Sequence, residues 1–114
     1  MIDAGMTELI RPALYGARHD VVALTSLGRP VHGGIAELTA ATVEGPICES
    51  TDELGVHDLP PLRRGDLVAL RDAGAYAASQ SSAYNGRPRP PQVILEPNGT
   101  FVLARRRGSL ATLG

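Results

Sequence analysis

Three short stretches of the chain hold side chains whose types and spacing could do chemistry. In the first, Ile10-Arg11-Pro12-Ala13-Leu14-Tyr15, an arginine and a tyrosine four residues apart fall on one side of a helical turn. The planar guanidinium of Arg11 can clamp a carboxylate through two parallel hydrogen bonds, with the Tyr15 hydroxyl beside it. The plainer alternative is a solvated arginine next to a half-buried tyrosine. In the second, Gly45-Pro46-Ile47-Cys48-Glu49-Ser50-Thr51-Asp52, a cysteine sits among carboxylates after a Gly-Pro turn. Nearby negative charge disfavours a thiolate, so Cys48 is not read as an activated nucleophile. Taken alone it reads as a small apolar residue buried at a strand end. The third stretch, residues 74–88, combines small residues, which let a backbone approach another surface closely, with the hydroxyls of Tyr76 and Tyr84. It reads otherwise as a polar loop.

Other chemistries are missing. His19, His32 and His57 are not spaced as metal ligands to one another or to Cys48. They are read as surface or capping residues, and no metal site is expected. No glycine-rich loop suited to cradling phosphate is present. Arg105-Arg106-Arg107 is read as a solvated charged face or a contact with another domain. All 11 basic residues are arginine, so no side-chain amine is available to bind an aldehyde cofactor covalently.

The elements that must position these residues are short. A length of 114 residues fits one domain, and a 43% hydrophobic content is that of a globular chain. A net charge of −1 argues against a nucleic-acid binder. There is no apolar run long enough to span a bilayer and no uninterrupted signal-peptide core. A single cysteine agrees with a reducing compartment, and a cytoplasmic location is expected. Strands are expected at 21–24, 37–43 and 67–70, the last reading as buried on both faces. Two more, 93–95 and 101–103, flank Asn98-Gly99 and should form a hairpin whose two central residues take positive φ. Helical pieces are brief: residues 7–14, with Thr7 as cap and Pro12 interrupting, and a last turn at 109–113. Residues 52–65 read as the longest irregular stretch. The pattern is all-β, a mainly antiparallel sheet or small barrel.

In this order and spacing, Asp3-Ala4-Gly5-Met6, residues 9–16, residues 45–52, Gly65-Asp66-Leu67 and residues 74–88 resemble the C-terminal sheet domain of the fold-type III pyridoxal-phosphate (PLP) decarboxylases, of the diaminopimelate decarboxylase type. The resemblance covers residues 2 to about 107. It implies a Greek-key-like barrel with short helical turns, as in the C-terminal domain of the alanine racemase and ornithine decarboxylase type, and makes residues 1–114 that one domain. It also implies a separate (β/α)8 barrel carrying PLP and its lysine, and head-to-tail pairing with a second subunit.

Carried over by position, Arg11 and Tyr15 are substrate-carboxylate ligands, and Glu49 recognises the distal amino group of an amino-acid substrate. Cys48 is the proton donor offered across the dimer interface, and Tyr76 touches both cofactor and substrate. An arginine fork at one end and an anion at the other suit a substrate with two carboxylates and two amines. The sequence departs from the family pattern at Thr51 (often glycine), Gln80 (usually methionine) and Gln92 (usually glutamate). The barrel is missing from the sequence, so a truncated reading frame or excised domain, inactive by itself, is expected. The competing readings are a related decarboxylase for ornithine or another basic amino acid, and a free-standing, non-catalytic sheet domain.

Overall fold

The computed structural model describes residues 1–31 and 37–112, so His32 and Leu113 lie outside the described residues. The chain runs α1 (Arg11–Tyr15), β1 (Val21–Leu24), β2 (Thr39–Glu44), β3 (Glu53–Leu59), β4 (Leu67–Leu70), α2 (Gly74–Gln80), β5 (Gln92–Leu95) and β6 (Phe101–Arg105). Single 3-10 turns occur at Tyr84–Gly86 and Leu110–Thr112. Every pairing is antiparallel: β1 with β4, β2 with β3, β5 with β6. The architecture is thus mainly antiparallel sheet with short helical turns. Its strands form three two-stranded ladders, and among the described residues no ladder closes them into a barrel.

The longest ladder, β2–β3, supplies the core. Leu9, Val43, Leu54 and Leu59 form its buried centre, with Ile2, Val21, Ala41 and Leu70 packed around it. Strict alternation on β3 would not bring Leu54 inward together with His57 and Leu59. A bulge does so: Thr42 pairs with Val56 and Glu44 with Glu53, two steps on β2 against three on β3. Gly55 absorbs the extra residue at φ 95°, a conformation open mainly to glycine. The bulge hides the period-2 signal, and for that reason β3 lies inside the stretch read as irregular. The β4 reading also needs correction, because Leu67 is 47% exposed and β4 is not buried on both faces.

Two helices differ from expectation. Residues 7–14 do not form one helix capped by Thr7. Thr7 is buried at 1% exposure and its Oγ1 has no partner among the described residues. Pro12 instead falls in the first turn of α1, where a missing N–H costs nothing. Gly16 ends that helix at φ 64°. Residues 74–80, read as a polar loop, are the helix α2, whose Ala77 packs on the core. The histidine reading is corrected as well. His19 and His57 are buried, and His57 Nε2 donates to the Leu54 carbonyl at 2.9 Å.

The expected hairpin is present, with Val93 opposite Leu103 and Leu95 opposite Phe101. Its turn is of another type. Gly99 has φ 85°, whereas Asn98 does not have a positive φ. Pro97 explains the difference: its ring fixes φ near −65°, which is incompatible with a mirror-image turn starting there. The Gly99 amide bonds to the Glu96 carbonyl at 2.9 Å and the Glu96 amide to the Thr100 carbonyl at 2.8 Å. An ordinary turn followed by a left-handed glycine results. Both faces of this hairpin are exposed: Leu95 and Phe101 at 62% and 71% on one, Ile94 and Val102 at 51% and 43% on the other.

Candidate functional site

The loop between β2 and β3, residues 45–52, is organised by its last residue. Asp52 is buried, and its Oδ2 accepts from the Ile47 amide at 2.6 Å. Its main chain closes the loop base, with the Gly45 amide donating to the Asp52 carbonyl at 2.9 Å. Its other oxygen, Oδ1, accepts from the Met6 amide at 2.7 Å and so ties the loop to the N-terminal segment. Gly5 and Gly45 flank this carboxylate so closely that a Cβ on either would overlap it. Glycine is required at both positions for proximity, not for φ. The base of the loop is thereby pinned, and residues 48–51 form its tip.

Cys48 and Glu49 stand on that tip, both exposed. Cys48 is therefore not buried at a strand end. The two residues line a pocket of about 340 Å³ with Glu44, Ile47 and Glu53. Glu49 is held from both sides. Its Oε1 accepts a hydrogen bond from the Tyr84 hydroxyl, and Thr51 Oγ1 lies 3.4 Å from its Oε2.

A second cluster forms where α1 meets α2. The guanidinium carbon of Arg11 lies 5.2 Å from the centroid of the Tyr76 ring, within cation–π range. No acceptor for the guanidinium N–H groups of Arg11 occurs among the described residues, so its fork is open to an anion. Tyr76 and Tyr15 are 58% and 64% exposed, with their hydroxyls unpartnered among the described residues. The structure brings Arg11 and Tyr76 together. Tyr15 lies at the other end of the same five-residue helix as Arg11. Cys48 and Glu49 belong to the separate loop, whose pocket is not lined by Arg11, Tyr15 or Tyr76. Between the two lies a groove of about 480 Å³ lined by Pro12, Ala13 and Gly16 from one side and Ser50 and Thr51 from the other. Asp52 escaped the sequence reading because its partners, Met6 and Ile47, contribute only amides. The signal available was a pair of distant glycines, Gly5 and Gly45.

Residues 1–74 match the family model described as pyridoxal-dependent decarboxylase, C-terminal sheet domain. The chain belongs to that family. Among relatives of this pyridoxal-dependent decarboxylase domain, the diaminopimelate decarboxylase of Thermoplasma acidophilum is 47% identical over 92% of the chain. That of Escherichia coli K12 is 40% identical over 99%. The decarboxylase domain spans only about a quarter of these proteins, 24% and 28% of their lengths. A crystal structure of a diaminopimelate decarboxylase superimposes with a TM-score of 0.88 at 39% identity, covering 97% of the chain and 28% of the solved protein. The Helicobacter pylori diaminopimelate decarboxylase, solved with L-lysine, gives 0.82 at 35% identity over 97% of the chain and 26% of its own.

Proposed function

We propose that the chain is the sheet domain that completes the active site of a diaminopimelate decarboxylase, which converts meso-2,6-diaminopimelate to L-lysine and CO2. On this reading residues 1–114 act with a PLP-binding (β/α)8 barrel and a second subunit in a head-to-tail homodimer, where the barrel-like sheet architecture is completed. A cytoplasmic setting fits the lone, exposed Cys48 and a chain in which no described helix is long and apolar enough to cross a membrane. The observation that carries the reading is the Arg11–Tyr76 pair, a fixed guanidinium with open donors beside a tyrosine with a free hydroxyl.

The chain's own residues fit the cofactor in a limited way. Tyr76 can offer a hydroxyl to PLP held by the barrel, but the sequence has no lysine to bind it. When bound, PLP serves as the sink for the electron pair released as CO2 leaves. Arg11 clamps a substrate carboxylate with two N–H donors, and Tyr15 adds a hydroxyl at the same end. Glu49 pairs with the distal ammonium. Cys48 passes its Sγ proton to the carbon that has lost CO2. The resulting thiolate is reprotonated from water. Binding at two ends orients the substrate, and the single proton donor acts at a defined place. L-Lysine in the H. pylori relative supports an amino-acid ligand with a distal amine.

The test is reconstitution. Mixed with the barrel portion of the T. acidophilum relative, the chain should restore CO2 release from diaminopimelate, whereas Cys48→Ala should restore PLP binding without turnover. Turnover of ornithine in preference to diaminopimelate would assign the chain to a sister decarboxylase. A second reading, a non-catalytic sheet module, is favoured by the lysine-free sequence; it predicts no activity in any mixture.

A further inference from the structure

We propose that Tyr84 is a positioning residue for Glu49: its phenol fixes the carboxylate that meets the distal ammonium, and so sets affinity for substrates with a second amine. The proposal rests on the function reading above and names a residue to which that reading gave no role. An exposed glutamate on a loop tip samples several rotamers. A carboxylate that must meet a cation at one point therefore needs something to hold it. Tyr84 donates its hydroxyl proton to Glu49 Oε1, and Thr51 Oγ1 flanks Oε2 at 3.4 Å. A phenol–carboxylate bond is charge-assisted, and a tyrosine ring on two torsions is a stiff support. Each carboxylate oxygen keeps lone pairs for an incoming ammonium.

Tyr84 is itself fixed by the chain around it. Asn85 and Gly86 follow at φ 59° and 70°, a left-handed pair that asparagine and glycine tolerate. The Ser82 amide donates to the Thr7 carbonyl at 3.0 Å, and Arg87 reaches the Asp3 carbonyl at 2.8 Å and the Glu8 carboxylate at 3.6 Å. The same N-terminal segment supplies the Met6 amide to Asp52. The turn of Tyr84 and the loop of Glu49 are thus docked on one common strip of chain. Their alignment survives loss of the Tyr84 hydroxyl, and what is lost is the hold on Glu49.

Two measurements decide. In the 114-residue chain with 13C-labelled glutamate, Tyr84→Phe should shift the Glu49 carboxyl resonance and average its side-chain couplings, leaving Glu44 and Glu53 unchanged. An unmoved Glu49 resonance overturns the proposal. In a chimera carrying this chain in place of the matching part of the T. acidophilum relative, Tyr84→Phe should raise KM for diaminopimelate about 5- to 10-fold with kcat nearly constant. That is the effect of one charge-assisted hydrogen bond made equally in ground and transition states. In a Glu49→Gln background the same substitution should add nothing. Equal effects in both backgrounds, or a fall in kcat without a rise in KM, overturn the proposal. A folded, PLP-loaded chimera that is inactive with the unaltered chain sinks the function reading instead, and the resonance measurement then decides the Tyr84–Glu49 hold by itself.

Discussion

The Arg11 guanidinium lies 5.2 Å from the centroid of the Tyr76 ring. The ring restrains the cation without consuming any of its N–H donors, so the fork stays available to a carboxylate. In the reconstituted enzyme Arg11→Lys should raise KM at least about tenfold, because an ammonium cannot reproduce a bidentate clamp. In the chain alone the same change should alter unfolding free energy by no more than about 1 kcal/mol, the range of an exposed cation–π contact. Urea titration and steady-state kinetics on the same variant separate the two effects. A stability loss matching the kinetic loss would make the pair structural.

Asp52 should behave in the opposite way, as a stability residue first. Asp52→Ala leaves the Met6 and Ile47 amides without acceptors in a buried place, and should cost about 2–4 kcal/mol of unfolding free energy. Asp52→Asn keeps one acceptor but turns a second donor toward an amide, so it should fall between alanine and the unaltered chain. Chemical denaturation followed by circular dichroism gives both values.

Gly45→Ala tests the close approach at the loop base. The added methyl overlaps the Asp52 carboxylate, so the loop must shift or the bond to Ile47 must break. A loss of at least about 1 kcal/mol is expected. Gly65→Ala, where open space surrounds the position but φ is 95°, should show only the backbone penalty of about 1 kcal/mol. Comparing melting curves of the two variants separates crowding from backbone strain.

The β5–β6 hairpin leads to a prediction about association. Two strands alone are marginal in water, and Leu95 and Phe101 are 62% and 71% exposed. Such a surface calls for cover. The isolated chain should self-associate at micromolar concentration, and Phe101→Ser with Val93→Thr should shift it toward monomer in sedimentation experiments. A monodisperse monomer before any substitution would show that the hairpin needs no cover.

Much of the fold was legible because several strands are aliphatic runs bounded by Gly, Pro or Asn. The β5–β6 hairpin, with Pro91 before it and Pro97-Asn98-Gly99 at its turn, is of this kind, and β1 is an aliphatic run between Asp20 and Thr25. β3 was not, because Glu53-Leu54-Gly55-Val56-His57-Asp58-Leu59 carries charges and a central glycine, and its bulge breaks the alternation. α2 was missed because it presents no apolar stripe, although its alanines, Ala75, Ala77 and Ala78, are strong helix formers. At the candidate site, the types and order of Arg11, Tyr15, Cys48, Glu49 and Tyr76 were readable as a resemblance. The Arg11–Tyr76 contact and the Tyr84–Glu49 bond depend on tertiary folding and leave no local signature.

The bond from the Met6 amide to Asp52 joins positions 46 residues apart. The stance of Cys48 and Glu49 is therefore not encoded in the octapeptide that carries them. Excised as a peptide, residues 45–52 would lose one of the two clamps on Asp52, and closing the loop would carry an entropy cost that the folded chain has already met. Reactivity at the tip is in this sense governed from a segment distant in sequence but adjacent in space. An alteration at Gly5 or Met6, remote in sequence from any ionisable group of the loop, would detune it without touching it.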